Sequence, residues 1–94
     1  DVYKRQIPGG VKEVPNAFEG CMDLIEVILS EGVEEIACDA FADCESLRDV
    51  TLPASVTEID DCAFYGCPLF TIHAPEGSYA EQFAKEKGYP FEAL

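Results

Sequence analysis

Tryptophan is absent from this chain of 94 residues, and methionine and histidine occur once each. Basic residues are scarce, with 6 Lys and Arg against 19 Asp and Glu, for a net charge of −13. Such a field repels phosphate backbones, which excludes nucleic acid as a partner and favours basic or cation-bearing ones. No apolar run approaches the length of a membrane span, so insertion into a bilayer is not expected, and no charged-then-apolar segment opens the chain. With a single histidine, His73, and no serine or cysteine tied to it by a motif, nothing suggests acid–base or nucleophilic catalysis. No C-x-x-C or Cys/His spacing occurs, which argues against zinc, and no cofactor motif is found. Hydrophobic residues still make up 48% of the chain, enough for one folded domain.

What the chain has is a period. Ala17-Phe18…Cys21 recurs as Ala40-Phe41…Cys44 and Ala63-Phe64…Cys67, each step being 23 residues. A fixed period of this length is the mark of a stacked repeat, in which each rung packs only on its neighbours. Residues 17–36 and 40–59 align without a gap on A-F-x-x-C-x-x-L-x-x-V-x-L-P/S-x-x-V-x-x-I. Val27/Leu29 and Val50/Leu52 alternate with polar positions, the signal of a short strand with one buried face, and Thr71–Ala74 continues it. Val33…Ile36 and Val56…Ile59 mark a second extended stretch on the opposite side of the coil. The A-F-x-x-C segment is too short for a free helix and is expected as one helical turn dropping Phe and Cys inward. The third repeat is one residue short, and Leu69 is expected at the position of Leu47.

Upstream, Ile7–Val14 matches Leu52–Ile59. Arg5 then falls where Val27 and Val50 stand, so residues 1–6 are read as a non-native or frayed segment and the whole as part of a longer array. Downstream, Ser78-Tyr79-Ala80-Glu81 fits a capping box, and Tyr79, Ala80, Phe83 and Ala84 share one helical face. Lys85 and Lys87 suit the last turn, Gly88 the left-handed C′ position, and Pro90 the stop. Tyr89 and Phe91 are expected to fold back as an apolar tail. The organisation is thus a solenoid over 7–75, with repeats from 17, 40 and 63, and a cap over 76–94.

This repeat, with its Ala74–Glu92 ending, resembles the BspA-type leucine-rich repeat over about residues 7–92. The resemblance implies a right-handed leucine-rich-repeat coil with short parallel β ladders, single helical turns and a C-terminal capping helix. It also implies a cell-surface or secreted parent protein and a non-catalytic role in adhesion or protein binding. The other reading is a structural spacer or cap of a larger protein, and an enzyme is the weakest of the three. Departures from the family pattern are Ser30 in place of the strand-ending Pro, and Asp39 and Asp61-Cys62 where small or polar residues are usual.

The candidate binding surface is the outward strand face: Glu26, Ile28, Asp49, Thr51, Thr71 and His73. Its partner is expected to be a protein of basic character, with weak homo-association through an uncapped N-terminal rung as a further expectation. Cys21, Cys44 and Cys67 should stack about one strand spacing apart, roughly 4.8 Å, as a packed ladder. Cys38 and Cys62 lie on adjacent rungs one position out of frame, which leaves a bridge between them open. Glu34, Glu35, Glu58, Asp60 and Asp61 form a second acidic group of the oxygen-ligand type Ca²⁺ takes, without a spaced calcium loop.

Overall fold

The computed structural model describes residues 3–94, so Asp1 and Val2 of the N-terminal segment lie outside the described residues. Four strands recur at the repeat interval: β1 (Lys4–Ile7), β3 (Glu26–Leu29), β5 (Asp49–Thr51) and β7 (Thr71–Ala74). They pair in parallel in that order, and β8 (Phe91–Ala93) completes a five-stranded sheet. A second parallel sheet is built from two-residue strands: β2 (Glu13–Val14), β4 (Glu35–Ile36) and β6 (Glu58–Ile59). The chain is therefore a β-solenoid of about four turns with one helix, α1 (Tyr79–Lys87), at its C-terminal end. Lys4–Gln6 belong to β1: Lys4 stands opposite Glu26, Arg5 opposite Val27 and Gln6 opposite Ile28. Arg5 remains exposed, and the first buried residue of that rung is Ile7.

Inward positions of both sheets feed one core. Val27, Val50 and Ile72 are aligned in register and fully buried, and Val14, Ile36 and Ile59 from the second sheet are aligned and buried. Phe18, Phe41 and Phe64 stack face to face down the coil, with centroids 5.3 and 5.4 Å apart and planes within 9° and 7° of parallel. That separation is the repeat distance expressed in rings. The A-F-x-x-C segments are not α-helical turns. They are successive tight turns closed by three-residue backbone bonds, such as Cys21 N to Phe18 O and Cys67 N to Phe64 O, both 3.2 Å. Neighbouring turns are tied by Phe41 N to Ala63 O and Asp43 N to Tyr65 O, both 2.8 Å. Ser55 adds a side-chain stitch between rungs: its Oγ accepts from Gly32 N and donates to Val33 O.

Leu69 does not take the place of Leu47. It is 73% exposed, whereas Phe70 is 1% exposed and fills the inward position. The missing residue falls after Phe70, where Arg48 has no counterpart and Asp49 pairs with Thr71. The reason is aromatic: Phe70 packs at 4.7 Å from Phe64 and 4.6 Å from Tyr89. A ring joining the Phe stack to the cap buries more apolar surface than a leucine would.

The cap follows its capping signals with one change. Ser78 is the N-cap and accepts from Glu81 N at 3.2 Å. Glu81 Oε1, instead of closing the box on Ser78, accepts from Gly77 N at 2.6 Å. Gly88 ends the helix at φ 79°, the left-handed conformation that glycine adopts without strain. Ala80, Phe83 and Ala84 are buried against the last rung. The Tyr79 hydroxyl accepts from Ile59 N at 3.3 Å, satisfying a donor on the end strand of the small sheet. Tyr89 and Phe91 fold back against the core as expected, and the tail in addition forms strand β8, in register with β7 at Ile72–Phe91, His73–Glu92 and Ala74–Ala93.

Candidate functional site

Period-2 alternation turns every second residue of the large sheet outward. Register then lines these residues into two rows across the rungs. One runs Lys4, Glu26, Asp49, Thr71, and the other Gln6, Ile28, Thr51, His73, Glu92. All six residues expected on this face are therefore brought together, and all six are half-buried by their lateral neighbours. Lys4, Gln6 and Glu92 join them, residues that sequence reasoning assigned to a foreign leader and to a tail. The alternation Phe91-Glu92-Ala93 behind Pro90 was the available signal for the last of these.

Three carboxylates of the face have partners within it. His73 Nε2 lies 2.8 Å from Asp49 Oδ1, and His73 Nδ1 lies 3.4 Å from Glu92 Oε1, so one imidazole links β5, β7 and β8. Lys4 Nζ reaches Glu26 at 3.6 Å. His73 is thus a cross-strand tie between carboxylates, with no nucleophilic side chain bonded to it by these contacts. Beside the strand N-termini runs a groove of about 420 Å³ lined by Ile25, Leu47, Arg48, Pro68 and Leu69, among others. It exists because the third repeat turns Leu69 outward. Ile25 and Leu69 in its lining are exposed hydrophobics.

The repeat cysteines point inward. Cys44 Sγ donates to Phe18 O at 3.1 Å and Cys67 Sγ to Phe41 O at 3.0 Å, each reaching back to the preceding rung. Hydrogen bonding with Cys67, together with burial, pushes the Cys44 thiol well above its ordinary value, so it behaves as a buried neutral hydrophobe. All five cysteines are free thiols, Cys38 and Cys62 included, and those two are exposed.

The second acidic group divides among separate contacts. Glu13, Glu35 and Glu58 stand in register in the small sheet. Glu35 is held above the ordinary carboxylate value by its hydrogen bond to Glu58 and by the charge beside it. Asp61 pairs with Lys87 at 2.9 Å, tying the cap helix to the turn after β6, and Asp60 Oδ1 accepts from Cys62 N at 2.9 Å. Among the described residues, the one set of three metal-ligating side chains whose donor atoms lie within 4.8 Å of one another is Cys38, Asp60 and Cys62. Its members come from successive rungs, which is why no short motif announced it.

No curated protein and no solved structure matches the chain. A family model does: the BspA type leucine-rich repeat region (6 copies), over residues 14–84. That span includes the Phe stack, strands β3 to β7 and most of the cap helix. The chain accordingly belongs to the BspA type leucine-rich repeat family.

Proposed function

We propose that this solenoid is a non-catalytic protein-binding module of a cell-surface or secreted protein, and that its outward sheet face contacts the partner. The observation that carries the reading is the register. It converts residues 22 or 23 positions apart in sequence into one continuous surface of half-buried polar and β-branched side chains, centred on Glu26, Ile28, Asp49, Thr51, Thr71 and His73. Parallel ladders give such a face a rigid backbone, so its side chains are held before binding and less ordering entropy is lost. The flanking groove at Ile25 and Leu69 supplies the apolar contact that an acidic surface alone lacks. Leucine-rich-repeat solenoids are typically non-catalytic, and BspA-type members are generally cell-surface or secreted, which supports both parts of the reading.

The partner is a protein with a basic contact surface, because Glu26 and Asp49 sit at the centre of the patch. The test is an array of basic proteins and peptides probed with the biotinylated chain and with Glu26→Lys/Asp49→Lys. Binding to array members is expected in the parent chain, weakened at least about tenfold by the double substitution and weakened by salt. Equal binding by the two chains would remove the assignment of this face. Failure of the parent chain to bind any member would remove the preference for basic partners.

A further inference from the structure

We propose that Cys38, Asp60 and Cys62 form a binding site for a thiophilic divalent cation, with Zn²⁺ the natural case. The site is separate from the outward sheet face and does not rest on that reading. Cys38 leaves β4 on one rung, and Asp60 and Cys62 follow β6 on the next. Backbone bonds clamp the two turns side by side, with Asp60 N donating to Ile36 O at 3.0 Å and Asp39 N to Cys62 O at 3.3 Å. Cys38 and Cys62 thus meet on adjacent turns although they lie one position out of frame, and Asp60 stands two residues before Cys62. All three donors lie within 4.8 Å of one another and all three residues are exposed. In a tetrahedral zinc site with the usual bond lengths, neighbouring donors are about 3.5–3.8 Å apart. Side-chain rotation is the motion the proposal requires to close the difference.

The donor set selects the ion. Two sulfurs and one carboxylate suit Zn²⁺ or Cd²⁺ and disfavour Ca²⁺ and Mg²⁺, which require oxygen. Asp60 Oδ1 is already oriented by the Cys62 N–H, the kind of outer hydrogen bond that fixes a ligating carboxylate. Asp39 lies next to Cys38 in sequence and adds negative charge that favours a dication, while Asp61 beside Cys62 is paired with Lys87. On binding, both thiols release their protons to solvent and coordinate as thiolates, the carboxylate supplies the third ligand, and water completes the tetrahedron. The ion would then cross-link two successive rungs on the side of the coil away from the proposed partner face.

The reduced protein titrated with Co²⁺ reports the site directly. One ion per chain is expected, with thiolate-to-cobalt charge-transfer absorption and tetrahedral ligand-field bands that vanish on adding Zn²⁺. Cys38→Ser/Cys62→Ser, both exposed and checked for fold by circular dichroism, is expected to lose the absorption. Asp60→Asn is expected to weaken affinity about tenfold or more, and Cys21→Ser, outside the cluster, to leave it unchanged. Zn²⁺ should raise the thermal midpoint of the parent chain and not that of the double variant. Absence of the charge-transfer absorption, or its survival in the double variant, would overturn the proposal. So would native mass spectrometry of protein purified with Zn²⁺ and no reductant, if it gave a metal-free chain two hydrogens lighter with a Cys38–Cys62 disulfide in place of the zinc-loaded one.

Discussion

At the scale of single residues, the third repeat shows which position the core requires. Phe70 touches Phe64 and Tyr89 and is buried, while Leu69 beside it is exposed. Phe70→Ala is expected to cost about 3–5 kcal/mol, the range for a buried aromatic truncated to Ala. Leu69→Ala should change stability by no more than about 0.5 kcal/mol. Urea denaturation of the two variants checks both, and a larger loss at Leu69 would reverse the alignment. The sequence pattern names leucine, so a leucine beside the gap reads as the core residue. What decides the matter is Phe64, the last ring of the stack and in the same repeat, and Tyr89 in the cap, contacts that a one-dimensional alignment does not show. By contrast, Phe18, Phe41, Phe64 and the inward cysteines were legible at once, because identical residues at identical positions in a stacked coil must meet one another. Cys38 and Cys62 were legible as neighbours because they fall one position out of frame on adjacent rungs, but Asp60 was read with the acids and not with the thiols.

At the scale of elements, the two ladders carry different chemistry. The small sheet stacks Glu13, Glu35 and Glu58 in register, an arrangement that disfavours three charges. Glu35 responds by holding its proton to higher pH, through the hydrogen bond to Glu58 and the adjacent negative charge. In the folded chain its carboxyl lies above the ordinary value of 4.5, so the folded state binds more protons than the unfolded one in that region. The resulting stabilisation is present in full below pH 4.5 and is lost as the pH rises through the raised value. Glu35→Gln should therefore raise the urea midpoint at neutral pH, with the gap to the parent chain closing as the pH falls below 4.5. A gap independent of pH would show that Glu35 acts through something other than its charge. Element boundaries were legible where a local signal exists: Ser78, Gly88 and Pro90 bracket the helix as capping chemistry requires. Strand β8 was not, because its cause is remote. The free edge of β7 offers Ile72 N–H, and Pro90 O accepts it at 2.9 Å, drawing the tail into the sheet.

At the scale of the whole molecule, stacking sets where charge accumulates. Residues 17–39 carry seven acids and no base, and residues 40–62 carry six acids and Arg48, so these two repeats hold −12 of the −13. Lys4, Arg5 and Lys12 lie in the N-terminal rung and Lys85 and Lys87 in the cap. The end bases reach inward, Lys4 to Glu26 and Lys87 to Asp61, while the middle rungs face one another with like charge at Glu26–Asp49 and Glu35–Glu58. In a solenoid the interface between neighbouring rungs is the unit of stability, so repulsion there is paid at every contact and is not diluted by a distant core. Raising the salt from about 0.01 M to about 0.5 M shortens the screening length from about 30 Å to roughly 4 Å, which removes the long-range part of this repulsion and spares only the close ion pairs. Three attractive end pairs, Lys85–Glu81 within the cap helix being the third, are set against a charge excess of 13, so the net effect has a definite sign. The thermal midpoint should rise with NaCl over this range, and the rise should shrink in Glu34→Gln/Glu35→Gln, which lowers the charge of the most acidic repeat by two. A midpoint that falls with salt would mean that the end pairs outweigh the middle rungs. An unshrunken rise in the double variant would place the repulsion elsewhere than in the small sheet.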